Sequence, residues 1–516
     1  MAAMNGAVTM VFALALAVAA VPSFPAPAAA APMSPAPRPA AARPAPSAAA
    51  PKRDTVLENQ LLEHIKVLAS DEFAGREPGT EGEAKTLRYL GKQWFDLGLI
   101  SGTNDPGHAW FAPVNLVARE PAASAAVFSR KGHKLYAPRG SFLMLTSGKR
   151  ALVENAPLLF VGTGRGMDGM PRAELAGRVA VLLDGEDRSG DRQNALLKAG
   201  ASAVLTVLDG TRTLEKVAAR RQRSGYALAS DVLGGDLEGF ITADAFDRLL
   251  GGGATGLAAL AKEAAAPAFA PHLIDLSATL EATTRETTIR THNLIAKLEG
   301  KRPDAGAVIF MAHWDHFGQC GVAPAEHLIC NGAIDNASGV AALTEVARRL
   351  SRSPQMDRDV YFVATTAEEL GLLGAEAFAE NPPLPLTQVV AAFNIDTVAI
   401  APAGTPFAVV GKGMTKLDAQ IAAAAKANRR TLIGGDEANA YVKRQDGWAL
   451  MQHDVPAVMV TTAYGDRTRL EAFFDSDYHR PSDVVKPTIQ LGGAADDVNF
   501  LVQLGRWFAD VKRVAR

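Results

Sequence analysis

Four near-continuous apolar runs punctuate the second half of the chain: Ala307 to Ala312, Val360 to Thr365, Val389 to Ile395 and Ala457 to Thr461. Because they are unbroken rather than alternating, they predict strands buried on both faces. The segment from Asn336 to Leu350 instead repeats with helical period. It sets Val340, Leu343, Val346, Ala347 and Leu350 along one face and places Arg348 and Arg349 near the C-terminus, where the helix dipole favours cations. Strands alternating with helices in this way predict an α/β fold, a mostly parallel mixed sheet flanked by helices. Upstream, Leu57, Leu61, Leu62, Ile65 and Leu68 recur at helical spacing until Ser70-Asp71-Glu72-Phe73-Ala74-Gly75-Arg76 interrupts. A second helix follows Gly82 and runs to about Leu97, with Gly98 as its stop, since glycine accepts the left-handed conformation at helix ends.

Between about 140 and 280 the strands are shorter, as in Leu158 to Val161 and Val179 to Leu183, and they surround a helix near Gln193 to Lys198. This stretch is expected to be a smaller α/β domain inserted into a main domain made of residues 54–139 and 281–516. At the start, an apolar run from Ala7 to Val21 precedes small residues with Ala-x-Ala spacing near 28 to 31. Residues 1–31 are therefore expected to be an export signal and 32–53, rich in Pro and Ala, an extended linker. The run has no Lys or Arg ahead of it and is shorter than the ~20 residues a spanning helix needs. The expectation is a secreted or periplasmic protein with no stable membrane insertion after signal cleavage.

The chain has 516 residues and a formal net charge of -2. That balance argues against a nucleic-acid partner, whose affinity would come from clustered Lys and Arg on phosphates. The most basic run, Lys216 to Arg223, reads as a solvated helix face. Export gives meaning to the two cysteines, because disulfides persist in oxidising compartments. Cys320 and Cys330 enclose a short loop, and a bond between them would contribute about 2–3 kcal/mol through the unfolded state.

The candidate chemistry sits where the apolar runs end: His-Trp-Asp-His-Phe-Gly at 313–318, Asn-Gly-Ala-Ile-Asp-Asn-Ala-Ser-Gly at 331–339, Ala-Glu-Glu-Leu-Gly at 367–371 and Asn-Ile-Asp at 394–396. Open α/β sheets bind ligands at that edge. A further histidine stands in Asp-Tyr-His-Arg-Pro-Ser-Asp at 477–483. Singly, each polar residue could be a cap or a turn former. Gathered at one edge of a buried sheet, they would repel and desolvate one another unless a cation neutralises them. Imidazole with carboxylates and no thiolate suits zinc, with cobalt or manganese as substitutes. The set exceeds the three protein ligands of a typical catalytic zinc, so two ions fit better than one.

These motifs resemble the co-catalytic dizinc aminopeptidases, the family of aminopeptidase Y, with glutamate carboxypeptidase and the transferrin receptor as relatives. Leu68-Ala69-Ser70-Asp71 with Gly75-Arg76, and Asn293-Leu294-Ile295-Ala296, resemble further segments of that family. The resemblance implies two zinc ions per chain and a peptide substrate. It implies that Asp335 bridges the metals, that His313 and Asp396 bind one ion, and that Glu369 and His479 bind the other. Glu368 would be the general base and Asp315 the carboxylate that orients His313, and the Asp335–Asn336 peptide would be cis. Gly177-Arg178-Val179-Ala180-Val181 and Lys198-Ala199-Gly200-Ala201 resemble the protease-associated domain. One departure concerns the substrate: where many relatives have Arg-Ser-Asp-His, this chain has Arg444-Gln445-Asp446-Gly447, so the wall expected to border the substrate is changed. An aminopeptidase is the leading expectation. The alternatives are a carboxypeptidase using Arg444 to hold a terminal carboxylate, a glutaminyl cyclase and a non-catalytic receptor-like protein; neither oligomeric state nor the preferred terminal residue can be read from the chain.

Overall fold

The computed structural model describes residues 53–164, 172–185, 190–223, 225–231 and 236–515, with side chains left out at 219–223. The expected signal segment, the linker up to residue 52 and most side chains of the basic run at 216–223 lie outside the described residues. Helix α1 (Thr55–Leu68) buries Leu57, Leu61, Ile65 and Leu68 on one stripe, and Asp54 caps it by accepting the amide of Leu57 at 3.1 Å. Helix α2 (Glu81–Asp96) starts at the Thr80 cap. It ends where Gly98 takes φ +78° and the Leu99 amide reaches back to the Trp94 carbonyl, the glycine-terminated ending that the sequence predicts.

Two long strands follow, β1 (Phe111–Arg130) and β2 (His272–Leu298), paired antiparallel from Phe111↔Leu294 to Ser129↔Ser277. One end of β2 joins the main sheet. Its other end pairs with the strand Arg150–Phe160, which continues through Val179–Leu183, Ala203–Leu208 and Leu237–Thr242 in parallel. These strands enclose a separate core of Phe160, Val181, Leu205, Ile241 and Phe246. That core also draws Ala126 and Phe128 from β1 and Ala282 from β2, so it reaches beyond 140 and 280 on both sides. This second core is carried on a continuous strand pair.

The main sheet is completed by β3 (Ala307–His313), helix α3 (Gly339–Ser351), β4 (Asp359–Thr365), β5 (Val389–Asn394), β6 (Ala408–Val410), β7 (Ala457–Thr461) and helix α4 (Leu491–Phe508). The strand order is β6-β7-β5-β3-β4-β2. The pairs β7–β5, β5–β3 and β3–β4 are parallel, and β6 and β2 close the sides antiparallel. Every residue of β3, β4, β5 and β7 is buried, which accounts for their unbroken apolar sequences. On one face Phe310 stacks with Phe362 and Phe393 at 6.0 and 5.4 Å beneath α1, α3 and α4. On the other, Ile309, Met311 and Val363 pack against Phe378 and Leu450.

Helix α3 begins three residues later than the periodicity predicts. Asn336 spends its side chain as a surrogate backbone: Oδ1 accepts the amides of Gly339 and Thr397 at 2.9 and 3.1 Å, and Nδ2 donates to the Ile395 carbonyl at 3.1 Å. The helix therefore starts at Gly339, and Asp335 stays extended in front of it, at φ −105° and ψ 99°. Among the described residues no helix is long and apolar enough to cross a membrane.

Candidate metal centre

The carboxyl ends of the parallel strands deliver the polar groups. His313 is the last residue of β3, Glu368 and Glu369 follow the end of β4, Asp396 follows β5, and Asp335 stands ahead of α3. His479 arrives from the loop after the helix Arg467–Ser476, at φ +57°. His313, Asp335 and Asp396 offer ligand atoms all within 4.8 Å of one another, and so do His316, Asp335 and Glu369. Asp335 is common to both groups. Its Oδ1 lies 3.4 Å from His313 Nε2, and its Oδ2 lies 3.3 Å from His479 Nε2. His479 Nε2 is also 2.9 Å from Glu369 Oε2, and Asp396 Oδ1 is 3.5 Å from His313 Nε2. The five ligands expected from the sequence thus lie together, and the Asp335–Asn336 peptide is cis.

His316 is an addition that sequence reasoning left without a role. Its Nδ1 is 2.5 Å from Glu369 Oε1. The signal was present in the second histidine of His-Trp-Asp-His, but spacing alone does not say which ring faces the site.

Beneath the ligands, Asp315 accepts the amides of Glu368 and Glu369, at 3.1 Å on Oδ1 and 3.4 Å on Oδ2. The His313 ring meets the same residue, with Nδ1 3.3 Å from its carbonyl and 3.8 Å from its carboxylate. One residue therefore ties the first histidine to the Glu-Glu pair. Asp446, also buried, hydrogen-bonds the Thr365 hydroxyl at the end of β4. Gln445, in the wall where the sequence departs from many relatives, is held in its own turn. It is only 1% exposed, accepts the Gly447 amide at 2.8 Å and donates to the Val442 carbonyl at 3.2 Å. Its side chain is taken up in its own turn. Arg444 is exposed at the rim, donates to the Tyr478 hydroxyl at 3.2 Å and lies over the rings of Tyr441, Phe474 and Tyr478. Tyr478 in turn stacks on His479. Cys320 and Cys330 are disulfide-bonded, with Cα atoms 5.7 Å apart, in the loop that follows His316.

Electrostatics describe a site built for cations. Burial drives the Glu368 carboxyl well above its ordinary range, and Glu369, Asp396 and Asp446 add to the rise against the pull of His313. Burial likewise lifts Asp315 to about 7 and Asp446 to about 6. For His313 burial works against the charged ring, yet Glu368, Asp335 and Asp396 hold it well above the usual imidazole value. His479 is raised to about 9: Asp335 and Glu369 outweigh its burial. The Nε2 atom of His316 is buried without a hydrogen-bond partner, and those of His313 and His479 face only carboxylates, a state that is costly unless a ligand completes it. Imidazole and carboxylate donors, with both cysteines tied in a disulfide, are the donor chemistry of zinc. The residues fit the metal.

A paired metal-ligand cluster at the carboxyl edge of a parallel α/β sheet defines the class. Residues 293–496 match the model of peptidase family M28. The alkaline phosphatase isozyme conversion protein of Escherichia coli (strain K12) is 38% identical over 103 residues, covering 18% of this chain and 29% of the relative. The vacuolar membrane protease of Yarrowia lipolytica (strain CLIB 122 / E 150) is 32% identical over 99 residues, 19% of this chain and 9% of the relative. The chain thus spans less than a third of either relative's length. An aminopeptidase from Aneurinibacillus sp. strain AM-1 shares the fold over 89% of this chain and 94% of its own, with a TM-score of 0.51 and 21% identity.

Proposed function

We propose that the protein is an exported aminopeptidase that works with two zinc ions and removes N-terminal residues from peptides. The observation that carries this reading is the sharing of Asp335 between the two ligand groups. A carboxylate with one oxygen toward His313 and the other toward His479 is placed to serve two cations at once. The disulfide supports export, since such bonds persist in oxidising compartments. The separate core carried on β1 and β2 supports an inserted domain of the protease-associated kind.

Zinc bound by these groups would polarise the scissile carbonyl and acidify a water. Glu368 lies beside both groups and belongs to neither, with Oε2 3.9 Å from His313 Nε2. Its carboxylate takes the proton of the attacking water and returns it to the leaving amine, and a raised carboxyl pKa suits both halves of that transfer. Asp315 keeps the base in register by holding the Glu368 and Glu369 amides. Arg444 at the rim sustains one rival, a carboxypeptidase that reads a terminal carboxylate through a guanidinium.

Mass spectrometry of products from a peptide with both ends free, incubated with zinc-loaded protein, separates the two. Loss of N-terminal residues, stopped by a chelator and by Glu368→Gln, is the expected result. Loss from the C-terminus would establish the rival and make Arg444 the next target. An unchanged peptide in the presence of bound zinc would remove the peptidase reading.

A further inference from the structure

The loop that presents Asp335 is held by two charged side chains from opposite ends of the chain. Arg76 is 1% exposed and donates only to carbonyl groups: Asn331 at 2.6 Å, Gly332 at 3.0 Å, Leu68 at 2.8 Å and Trp314 at 2.8 Å. Asp483, also 1% exposed, takes the opposite polarity. Its carboxylate accepts the amide of Ile334 at 3.0 and 3.2 Å and that of Asp335 at 3.0 Å, and its own carbonyl accepts the Ala333 amide at 3.1 Å. The carbonyls of 331 and 332 and the amides of 333, 334 and 335 are therefore all fixed by these two residues. Arg76 also reaches the residue after His313 through the Trp314 carbonyl, and its own carbonyl accepts the His316 amide at 3.3 Å.

Burying a guanidinium and a carboxylate is expensive, and packing alone would be served better by apolar side chains. What these two supply is geometry. A guanidinium presents a planar fork of donors to carbonyls on different loops, and a carboxylate accepts adjacent amides with both oxygens. We infer that Arg76 and Asp483 are a positioning pair that sets the direction of the shared carboxylate Asp335 by clamping the backbone of residues 331–335. The inference rests on the two-metal reading of the site. Neither residue touches reacting atoms, and both act through Asp335.

Asp483→Asn tests it, because the amide keeps the shape but gives up the charge and one of the two acceptor oxygens, putting an NH2 donor where Oδ1 or Oδ2 now faces backbone N–H groups. Arg76→Lys is the second variant, keeping the charge and losing the fork. Amide hydrogen exchange is followed across the whole chain, and zinc affinity is measured by competition with a chromophoric chelator. The expected result is exchange at least ~10-fold faster in peptides covering 331–337 and unchanged elsewhere. Zinc affinity falls about 10–100-fold at both positions together, kcat falls and KM is held. The lysine variant is expected to loosen the 331–332 side and to keep the Asp483 contacts. Exchange that rises over the whole chain would reduce the pair to a structural role and overturn the inference. So would local loosening with wild-type zinc affinity, or loss of one metal alone. A wild-type protein that binds no zinc would sink the metallopeptidase reading itself, and the positioning role would fall with it even if the loop loosened.

Discussion

The main sheet and the inserted unit are built alike, and among the described residues only the main sheet carries a metal-ligand cluster. Both place parallel strands beside helices, and both put acidic residues just past strand ends. In the inserted unit the described acids are answered one at a time. Asp184 after the strand Val179–Leu183 meets Arg212 at 3.3 Å, and Asp209 after Ala203–Leu208 accepts the Thr211 amide and hydroxyl at 2.8 and 2.7 Å. In the main sheet, Asp335, Glu368, Glu369 and Asp396 face one another and three imidazole rings. Among the described residues both candidate metal groups lie there. Architecture brings acids to an edge, and their convergence there with imidazole rings makes them a site.

Glu368→Gln should produce the largest effect. It removes the base and leaves every proposed ligand, so the rate should fall by roughly 10²–10⁴ while zinc content stays at the wild-type level. Initial rates and metal analysis on the same preparation decide it; near-wild-type turnover would show that the raised carboxyl of Glu368 is only a consequence of burial. The same comparison can be broken from the other side. Phe160 is fully buried in the inserted core, and Phe160→Ala should cost about 3–5 kcal/mol there. Limited proteolysis should then cut the inserted unit at lower temperature, with zinc content and low-temperature activity retained. Parallel loss of zinc would mean that β1 and β2 weld the two cores into one cooperative unit.

How much of this was legible in the sequence follows from the distance over which each feature is decided. The strands of the main sheet were legible because full burial leaves an unbroken apolar run, as in β3 and β5. Glu368, Glu369 and Asp396 were legible because they stand next to those runs, and Asp335 because it stands just ahead of a helical period. The start of α3 was not, since it depends on Asn336 bonding to residues 59 and 61 positions away. Arg76 and Asp483 were visible only as letters in motifs. Arg76 acts on a carbonyl 255 residues distant, and no periodicity encodes such a contact. The insert's boundaries follow the strand pairing of β1 and β2, whereas composition changes only where the short strands begin.

The smallest predicted effect concerns a carboxyl outside the site. Asp497 on α4 is fully buried, accepting the Thr462 amide and the Thr461 hydroxyl, each at 2.7 Å, from the end of β7. Burial nonetheless pushes its carboxyl up to about 8, against those two hydrogen bonds. An unfolded aspartate releases its proton near ~3.9. Between these values the folded chain holds a proton that the unfolded chain has lost, so stability must fall as pH rises from about 4 to about 8. Asp497→Asn cannot titrate, so the wild-type Tm should fall relative to the variant's by about 1–3 °C between pH 5 and pH 8. Other buried groups titrate over the same range in both proteins and cancel in the difference. A Tm difference independent of pH would mean that Asp497 is ionised in the folded protein, and that the strand end of β7, unlike those of β3 and β5, accommodates a charge without any cation.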